Sequence, residues 1–222
     1  MFYKYIKRFL DLISSIILLT ILSPILLPVI IILLFSAEGE VFYLQKRIGY
    51  KLKSFNIFKF ATMLKNSENI GMGTITLKND YRVTKPGKIL RKTKINELPQ
   101  LINIIIGDIS VVGPRPLLKK TFDSYPENVK EKIYLIKPGL TGIGSIVFRD
   151  EESILSNIKN ENPHDFYKSV IAPYKGELEL WYQDNQSFQV DLKILFTTLW
   201  VIIFPESRIY ESWFENLPKR RF

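Results

Sequence analysis

The chain has 222 residues, enough for one well-filled domain, of which 46% are hydrophobic and 24% are charged. This balance excludes a disordered chain, which would be less apolar, and a polytopic transporter, which would be less charged. Cysteine is absent and His164 is the single histidine, so disulfide scaffolds, thiolate zinc sites and thiol nucleophiles are excluded. The net charge of +9 indicates anionic partners: nucleic acid, phosphorylated substrates or an anionic membrane surface.

An apolar segment near the N-terminus points to the membrane. Residues 12–37 form a run of 26 residues without a charge, flanked by Asp11 and Glu38. As a straight helix this run would measure about 39 Å, and the hydrocarbon core of a bilayer is about 30 Å thick. A cleaved signal peptide fits less well, because its apolar region has only about 7–15 residues and no small-residue cleavage site follows here.

Two prolines interrupt this run. Pro24 follows Ser23 at its middle and Pro28 lies one turn later, and a proline inside a helix kinks or breaks it. Each half would reach less than about 20 Å and could not cross alone. The basic residues on the two sides are Lys4, Lys7 and Arg8, and Lys46, Arg47 and Lys51. Because these counts are equal, the positive-inside rule gives no direction. We expect a re-entrant helix with both ends cytoplasmic; a kinked spanning helix is the alternative.

Positive charge is concentrated in the middle of the chain. From Lys46 to Lys94 there are 13 basic and two acidic residues, whereas from Asp150 to Asp191 there are nine acidic residues and three lysines. A basic block beside a membrane anchor is typical of proteins that bind phosphate groups at a membrane surface, although a solvated loop surface would explain part of it. Nucleic acid is not an expected partner, because no aromatic-basic stacking surface accompanies the charge.

The rest of the chain is predicted to be a helix-rich α/β mixture. Short β-branched runs predict strands, and longer apolar periodicities that end at Gly or Pro predict helices. The predicted strands are residues 41–44, 54–60 and 109–112, the first two around a turn at Gly49. The predicted helices are residues 88–106 with an interruption near 96–99, residues 121–136, and residues 192–204, which would lie at the membrane interface or on the core.

Candidate phosphate-binding residues follow the basic block. Asn96 and Glu97 come shortly after Arg91 at the predicted start of a helix, where free N–H groups and the helix dipole favour phosphate. Their ordinary alternatives are an N-cap for Asn96 and a charge that complements the dipole for Glu97. Arg115 lies between two prolines, which would hold its guanidinium as a rigid fork for phosphate or carboxylate.

A second candidate is the acidic triplet, Asp150, Glu151 and Glu152, which directly follows Arg149. Carboxylates beside an arginine are suited to holding Mg²⁺ together with a diphosphate. The alternative is that these three acids begin a solvated helix. The spacing alone does not decide between these two roles.

In chain order, these features resemble the bacterial sugar transferases, the monotopic phosphoglycosyl transferases that start glycan assembly on a polyprenyl carrier. The similarity covers nearly the whole chain, and GDISVVGPRP at 107–116 is its most specific part. The other matching segments are Lys7-Arg8 with Asp11, Ser23-Pro24, QKRIG at 45–49, KFATM at 59–63, NELPQL at 96–101, PGLTG at 138–142, Arg149, and Asn185, Ser187, Phe188 and DLK at 191–193.

The resemblance implies an architecture and a reaction. Residues 1–40 would form a re-entrant membrane helix, and residues 41–222 a small α/β transferase domain with interfacial amphipathic helices, on the cytoplasmic face of the bacterial inner membrane. The implied reaction transfers a sugar-1-phosphate from a nucleotide diphosphate sugar, usually a UDP-sugar, to polyprenyl (undecaprenyl) phosphate with Mg²⁺. It would initiate capsule, exopolysaccharide or lipopolysaccharide O-antigen synthesis. The implied partners are both substrates and membrane lipids, and a homodimer is one option for the apolar C-terminal helix.

The resemblance also implies a catalytic pair at Asn96 and Glu97. In the family an aspartate at the first position is the nucleophile, and the glutamate supports it and the metal. Here Asn96 replaces the aspartate, and an amide is a poor nucleophile. We expect Glu97 to act in acid–base or metal chemistry, with Asp150 and Glu151 as further metal ligands or compensating carboxylates. The expected substrate-binding residues are Arg47, Lys59, Arg91, Arg115 and Arg149.

Three explanations of Asn96 are open. The enzyme acts by another route, in which Glu97 or the acidic triplet supplies the carboxylate or the lipid phosphate attacks directly. Alternatively, Asn96 is an engineered change that traps a complex, or the protein is a non-catalytic relative that binds carrier lipid or partner proteins. The presence of Glu97, Lys59, Arg115 and Arg149 favours a retained active site.

Overall fold

The computed structural model describes residues 2–36, 39–70, 80–158, 162–220 and 222. Its helices are α1 (Phe2–Leu34), α2 (Lys85–Lys92), α3 (Gln100–Ile106), α4 (Lys119–Phe122), α5 (Glu127–Lys130), α6 (Ile143–Val147), α7 (Glu151–Ser156), α8 (Pro163–Phe166), α9 (Ala172–Asp184), α10 (Phe188–Ile203) and α11 (Tyr210–Trp213). Its strands are β1 (Phe42–Ile48), β2 (Ser54–Phe60), β3 (Ser110–Val112) and β4 (Gly139–Thr141). The predicted helix-rich α/β class is confirmed.

Helix α1 is long and apolar enough to cross a membrane, by length and composition. It continues through Pro24 and Pro28, so the possible break at Ser23-Pro24 is absent. Pro24 has no N–H for the carbonyl of Thr20, and the Ser23 hydroxyl donates to that carbonyl instead, at 2.8 Å. The end of the charge-free run, Ala37, and the flanking Glu38 lie outside the described residues.

Polar contacts dock the first turns of α1 on the rest of the chain. Lys7 forms an ion pair with Asp191 at the start of α10. The Asp11 carboxylate accepts from the Ser110 hydroxyl at 2.7 Å and from the Val111 N–H at 3.1 Å, and Arg8 donates to two carbonyls at the end of α3. Most large apolar side chains further along α1 are exposed, so this apolar surface needs a cover other than the protein core.

Strands β1 and β2 form the predicted antiparallel hairpin around Gly49. The second strand has its predicted bounds, whereas the first continues to Ile48 rather than ending at residue 44. The register pairs Tyr43 with Lys59 and Arg47 with Phe55. Because side chains alternate between faces along a strand, Arg47 and Lys59 project from the same face of the hairpin.

The second sheet consists of β3 and β4, which pair in parallel. β3 was predicted and β4 was not, because Gly139-Leu140-Thr141 is short and begins with glycine. A Cβ on Gly139 would lie 2.1 Å from the nitrogen of Gly113, so the two chains approach to a distance that only glycine permits. This pairing fixes the start of the turn Gly113-Pro114-Arg115-Pro116.

The predicted helix over residues 121–136 is wrong. Helix α4 ends at Phe122, α5 begins at Glu127, and residues 131–136 are not helical. Pro126 lies between the two helices, and a proline disfavours helical backbone at the residue before it. This leaves Tyr134 in irregular structure, with its side chain buried against the turn that holds Arg115.

The largest part of the core lies among α6, α9 and α10. Ile194, Thr197 and Val201 of α10 are buried in it, whereas Leu192 and Leu199 on the opposite face are exposed. Of the two alternatives predicted for residues 192–204, docking on the core is therefore confirmed. The helix carries an additional apolar face that the described residues do not cover.

Candidate active site

Glu97 is the carboxylate on which two cations converge. Its Oε1 lies 3.5 Å from Nη2 of Arg115 and 4.0 Å from Nζ of Lys59. The side chains of Glu97 and Lys59 are 19% and 16% exposed, so the pair is largely removed from water while remaining reachable. The three residues come from three parts of the chain: a turn after α2, strand β2 and the turn after β3.

A tight turn presents Glu97. Lys94 adopts a left-handed backbone conformation (φ 60°), the 3₁₀ turn Ile95–Glu97 follows, and α3 begins after Pro99. The predicted interruption near residues 96–99 is confirmed. The alternative role of Asn96 as a helix N-cap is wrong, because α3 starts four residues later. Asn96 is buried, and its Oδ1 has no hydrogen-bond partner among the described residues.

Arg47 joins the hairpin to the arginine-bearing turn. Its guanidinium donates to the carbonyl of Pro116 at 3.2 Å and to Gln45 Oε1. A cavity of about 10 Å³, room for about one water, lies between Arg47, Lys59, Arg115 and Gln100. The two basic side chains that share a face of the hairpin therefore meet Arg115 around one small polar space.

Positive charge exceeds negative charge at this site. Burial alone would raise the pKa of Glu97, but the charges of Arg115, Lys59 and Lys94 outweigh it and lower that pKa to about 2. Burial lowers the pKa of Lys59 to about 7, the charges of Arg47 and Arg115 add to this, and Glu97 opposes it. Burial and the charge of Arg115 likewise lower the pKa of Arg47 to about 10. A cluster of cations that disfavour each other's charge is suited to a polyanionic ligand.

The remaining predicted cations lie further from Glu97. Arg91 donates to Glu152 Oε1 at 3.3 Å, and its charge helps to lower the pKa of Lys59. Arg149 is exposed, and within the described part of the chain no hydrogen bond or ion pair links it to Glu97. The structure thus brings together Arg47, Lys59, Glu97 and Arg115. Among the described residues Arg91 forms no hydrogen bond or ion pair with these four, but it acts on Lys59 through its charge.

Each acid of the triplet is paired with a different cation. Asp150 accepts from Arg220 at 3.5 Å, Glu151 forms an ion pair with Lys175 of α9, and Glu152 pairs with Arg91. Asp150 precedes α7, so the acids begin a helix as the alternative interpretation expected. Among the described residues no group of three acidic or histidine side chains could hold a metal ion. Glu97, Asp150 and Glu151 therefore do not form a three-carboxylate cluster there.

Comparison with known proteins identifies the family. The family model described as bacterial sugar transferase matches residues 2–205. The chain belongs to the bacterial sugar transferase family.

Three relatives of this sugar transferase are 32–36% identical to it in sequence. An uncharacterized sugar transferase, EpsL of Bacillus subtilis, is 36% identical over 201 residues, covering 90% of this chain and 89% of that protein. A UDP-N-acetylgalactosamine-undecaprenyl-phosphate N-acetylgalactosaminephosphotransferase of Aeromonas hydrophila is 32% identical over 206 residues, 90% of this chain. A UDP-glucose:undecaprenyl-phosphate glucose-1-phosphate transferase of Klebsiella pneumoniae is 34% identical over 198 residues, 87% of this chain. The chain spans only 44% and 39% of the length of the latter two.

The donor set of this sugar transferase fits Mg²⁺ shared with a ligand. Mg²⁺ prefers oxygen donors, and proteins often supply only one or two of them while substrate phosphates and water complete the shell. The Glu97 carboxylate and the unpartnered Oδ1 of Asn96 are such donors on adjacent residues. The residues present therefore fit an ion bound together with a diphosphate better than one held by protein alone.

Two contacts of the sugar transferase turn were missed from the sequence. The hydroxyl of Tyr134 donates to the carbonyl of Arg115 at 2.8 Å, and Oε1 of Glu179 accepts from the N–H of Arg115 at 3.4 Å. These partners lie 19 and 64 residues away in sequence. In the sequence Glu179 lies in the run ELEL at 177–180, and nothing there separates it from Glu177.

Proposed function

We propose that this sugar transferase transfers a sugar-1-phosphate from a UDP-sugar to undecaprenyl phosphate at the cytoplasmic face of the bacterial inner membrane. The observation that carries the proposal is the excess of positive charge around Glu97, where Lys59, Arg47 and Arg115 meet at one partly exposed site. A nucleoside diphosphate and a lipid phosphate are both polyanions that such a site binds. The names of two relatives, which refer to UDP-sugars and undecaprenyl phosphate, support the same substrates.

The basic residues take the phosphates of the two substrates. Arg47, Lys59 and Arg115 bind the diphosphate of the donor, because they surround the same small space. Arg91 and Arg149 serve the acceptor phosphate. Glu97 holds Arg115 and Lys59 in place before substrate binds and, with Asn96, supplies oxygen ligands for Mg²⁺. When bound, Mg²⁺ would neutralise diphosphate charge and stabilise the leaving phosphate.

Asn96 stands, in this proposal, where the family has its nucleophilic aspartate. An amide does not form a phosphoryl-enzyme, so an oxygen of the lipid phosphate attacks the phosphorus that bears the sugar. A new P–O–P bond forms, the bond from that phosphorus to the bridging oxygen breaks, and UMP leaves with this oxygen. Asp150 and Glu151, the other candidate carboxylates, already neutralise Arg220 and Lys175, which favours direct attack.

Residues 1–40 form the membrane anchor and residues 41–222 the transferase domain. The exposed apolar surface of α1 supports insertion into lipid, and Lys7, Arg8 and Asp11 hold its first turns on the domain. In this proposal α1 is re-entrant and both of its ends remain on the cytoplasmic side, which requires the unbroken helix to bend, and Pro24 and Pro28 lie inside it. The exposed apolar face of α10, with Leu192 and Leu199, rests on the interface beside it.

Release of UMP from a panel of UDP-sugars tests this function. The protein is placed in nanodiscs with undecaprenyl phosphate and Mg²⁺, and wild type is compared with Glu97→Ala, Asn96→Asp and the exposed control Asn128→Asp. We expect turnover by wild type and by the control, and a loss of about 100-fold or more in Glu97→Ala. Turnover that persists in Glu97→Ala contradicts the proposal.

The route is tested by exchange of labelled UMP into UDP-sugar without the lipid acceptor. A phosphoryl-enzyme supports this exchange, whereas direct attack does not. We expect no exchange in wild type and its appearance in Asn96→Asp. Exchange by wild type would contradict direct attack and would make Glu97 or another carboxylate the nucleophile.

The second candidate function is binding of the carrier lipid without catalysis, and the amide at position 96 is the observation that favours it. This function predicts a silent wild type beside an active Asn96→Asp. It also predicts that Glu97→Ala leaves the cellular function intact, whereas catalysis predicts its loss.

A further inference from the structure

The main chain of Arg115 is held at both of its polar groups. Its carbonyl accepts from the Tyr134 hydroxyl at 2.8 Å, and its N–H donates to Oε1 of Glu179 at 3.4 Å. The same Tyr134 hydroxyl accepts from the N–H of Leu117 at 2.9 Å. The residues on either side of Arg115 are prolines, which have no N–H. The N–H of Arg115 is therefore the main-chain donor that can hold this part of the turn by a hydrogen bond.

We propose that Tyr134 and Glu179 are positioning residues, which fix the Arg115 main chain and thereby set the place of its guanidinium at the donor diphosphate. This inference rests on the proposed function, since it assigns that diphosphate to Arg115. Neither residue touches the substrate; both act through Arg115.

Burial supports this role. Tyr134 is 1% and Glu179 2% exposed, and a hydroxyl or carboxyl group is costly to bury without a hydrogen bond. An apolar side chain would fill either place at lower cost. A Cβ on Gly144 would lie 2.3 Å from Oε1 of Glu179, so the backbone of α6 packs directly on the carboxyl group and fixes its position.

The guanidinium is where a small displacement has a large effect. It lies 3.5 Å from Glu97 at the mouth of the site, at the end of a long side chain whose direction depends on its main chain. A misplacement of about 1 Å at a reacting group can reduce the rate by about 100-fold. Two hydrogen bonds to the main chain therefore contribute to catalysis without contacting substrate.

The charge of Glu179 adds a second influence. The charged and titratable groups that act on it are Arg115, Lys175 of its own helix, Tyr125 and Tyr134. Burial raises the pKa of Glu179 to about 7. The hydrogen bond from the Arg115 N–H and the charges of Lys175 and Arg115 act to lower that pKa but do not outweigh burial. Its negative charge therefore increases between pH 6 and pH 8 and offsets part of the positive charge of Arg115.

Tyr134→Phe tests the positioning role because it removes only the hydroxyl. We expect KM for the UDP-sugar, and Kd for UDP alone measured by calorimetry, to rise about tenfold, as for the loss of one buried hydrogen bond at a binding group. The matched control is Tyr174→Phe, a buried tyrosine whose hydroxyl donates to the Pro218 carbonyl at 2.9 Å. Its Tm should fall similarly while KM and Kd stay unchanged.

Two further measurements separate positioning from stability. In an Arg115→Ala background, Tyr134→Phe should have no further effect on Kd, because the two changes act through one group. Glu179→Gln keeps an acceptor oxygen but cannot ionise, so its KM should match wild type at pH 6 and be about threefold lower at pH 8.

The inference is overturned if Tyr134→Phe lowers Tm without changing Kd for UDP, or if its effect persists in full without Arg115. Wild type that binds UDP but does not turn over UDP-sugars would refute the proposed function, while the Kd series still decides the positioning role. Wild type that does not bind UDP at all would refute both.

Discussion

Carboxylates occupy two contrasting settings in this sugar transferase. Glu97 faces two cations, Arg115 and Lys59, and the charge of Lys94 also lowers its pKa. Each acid of the triplet forms an ion pair with one cation, and those cations come from the end of α2, from α9 and from the C-terminal segment. The charge of Glu151 also acts on Arg115. The first setting retains an excess of positive charge, whereas the second is neutralised within the protein.

The difference shows how the same residue types separate into binding and structural roles. An excess of buried positive charge is costly until an anion arrives, so it indicates a ligand. A set of one-to-one pairs satisfies itself and joins elements of the fold. From the sequence alone, the roles of the two settings appear reversed. Three consecutive acids resemble a metal site, whereas Glu97 has no other acid beside it.

The largest test of this contrast compares Arg115→Ala with Arg220→Ala. Arg115 belongs to the positive excess, and its removal should lower kcat/KM for the UDP-sugar by about 100- to 1000-fold with little change in Tm. Arg220 pairs with Asp150 and lies over the ring of Phe222 at 4.8 Å. Its removal should lower Tm and change kcat/KM by less than about threefold. Equal losses of kcat/KM would contradict the distinction.

A second test uses the two buried lysines. Burial lowers the pKa of Lys59 to about 7. Burial also acts to lower the pKa of Lys175, but the charge and hydrogen bond of Glu151 and the Tyr167 hydroxyl together outweigh it, so that pKa is raised. Above pH 7, Lys59 loses its positive charge and Lys175 keeps it. Binding of the anionic donor should therefore weaken as pH rises, and kcat/KM should fall by up to about tenfold from pH 7 to pH 8.

Lys59→Arg sharpens this test because arginine stays charged in that range. Its kcat/KM should be nearly independent of pH between 6 and 8. Glu179 also ionises near pH 7. The protein with Lys59 and the Lys59→Arg variant are therefore compared in a Glu179→Gln background. An equally steep profile in Lys59→Arg would assign the titration to another group.

Much of the local structure was predictable because its signals are local. The hairpin around Gly49, the interruption near Asn96 and the end of α3 at Gly107, with φ at 99°, follow from residues within a few positions of each feature. The break at Pro126 was equally local and was overlooked in favour of the flanking apolar periodicity. Strand β4 is defined only by pairing with β3, so its own residues carry little signal.

The site was predictable in part. Arg47, Lys59, Glu97 and Arg115 were expected as site residues, but their common location depends on contacts that span 18 to 69 residues of sequence. The partners of the acidic triplet lie 24 to 70 residues away. Hydrogen bonds from Tyr134 and Glu179 to one turn depend on the same long-range packing, which periodicity and propensity do not encode.

The smallest expected effect is that of Glu152→Gln. The Arg91–Glu152 pair is 3.3 Å long and its side chains are 30% and 56% exposed, so solvent and salt screen it. Its loss should change the free energy of unfolding by less than about 0.5 kcal/mol, and kcat/KM by less than about twofold. The comparison is Glu151→Gln, which leaves the buried Lys175 without its partner and should cost about 3 kcal/mol.

Urea unfolding and kcat/KM of both variants decide whether the triplet is structural. If burial alone sets how much each ion pair contributes to stability, Glu151→Gln should be less stable than Glu152→Gln. In that case kcat/KM of Glu152→Gln should stay near wild type. A large fall in kcat/KM for Glu152→Gln at unchanged stability would mean that Arg91 depends on Glu152 to meet substrate. The triplet would then belong to the site, because a pair exposed to this extent has no other means of affecting turnover.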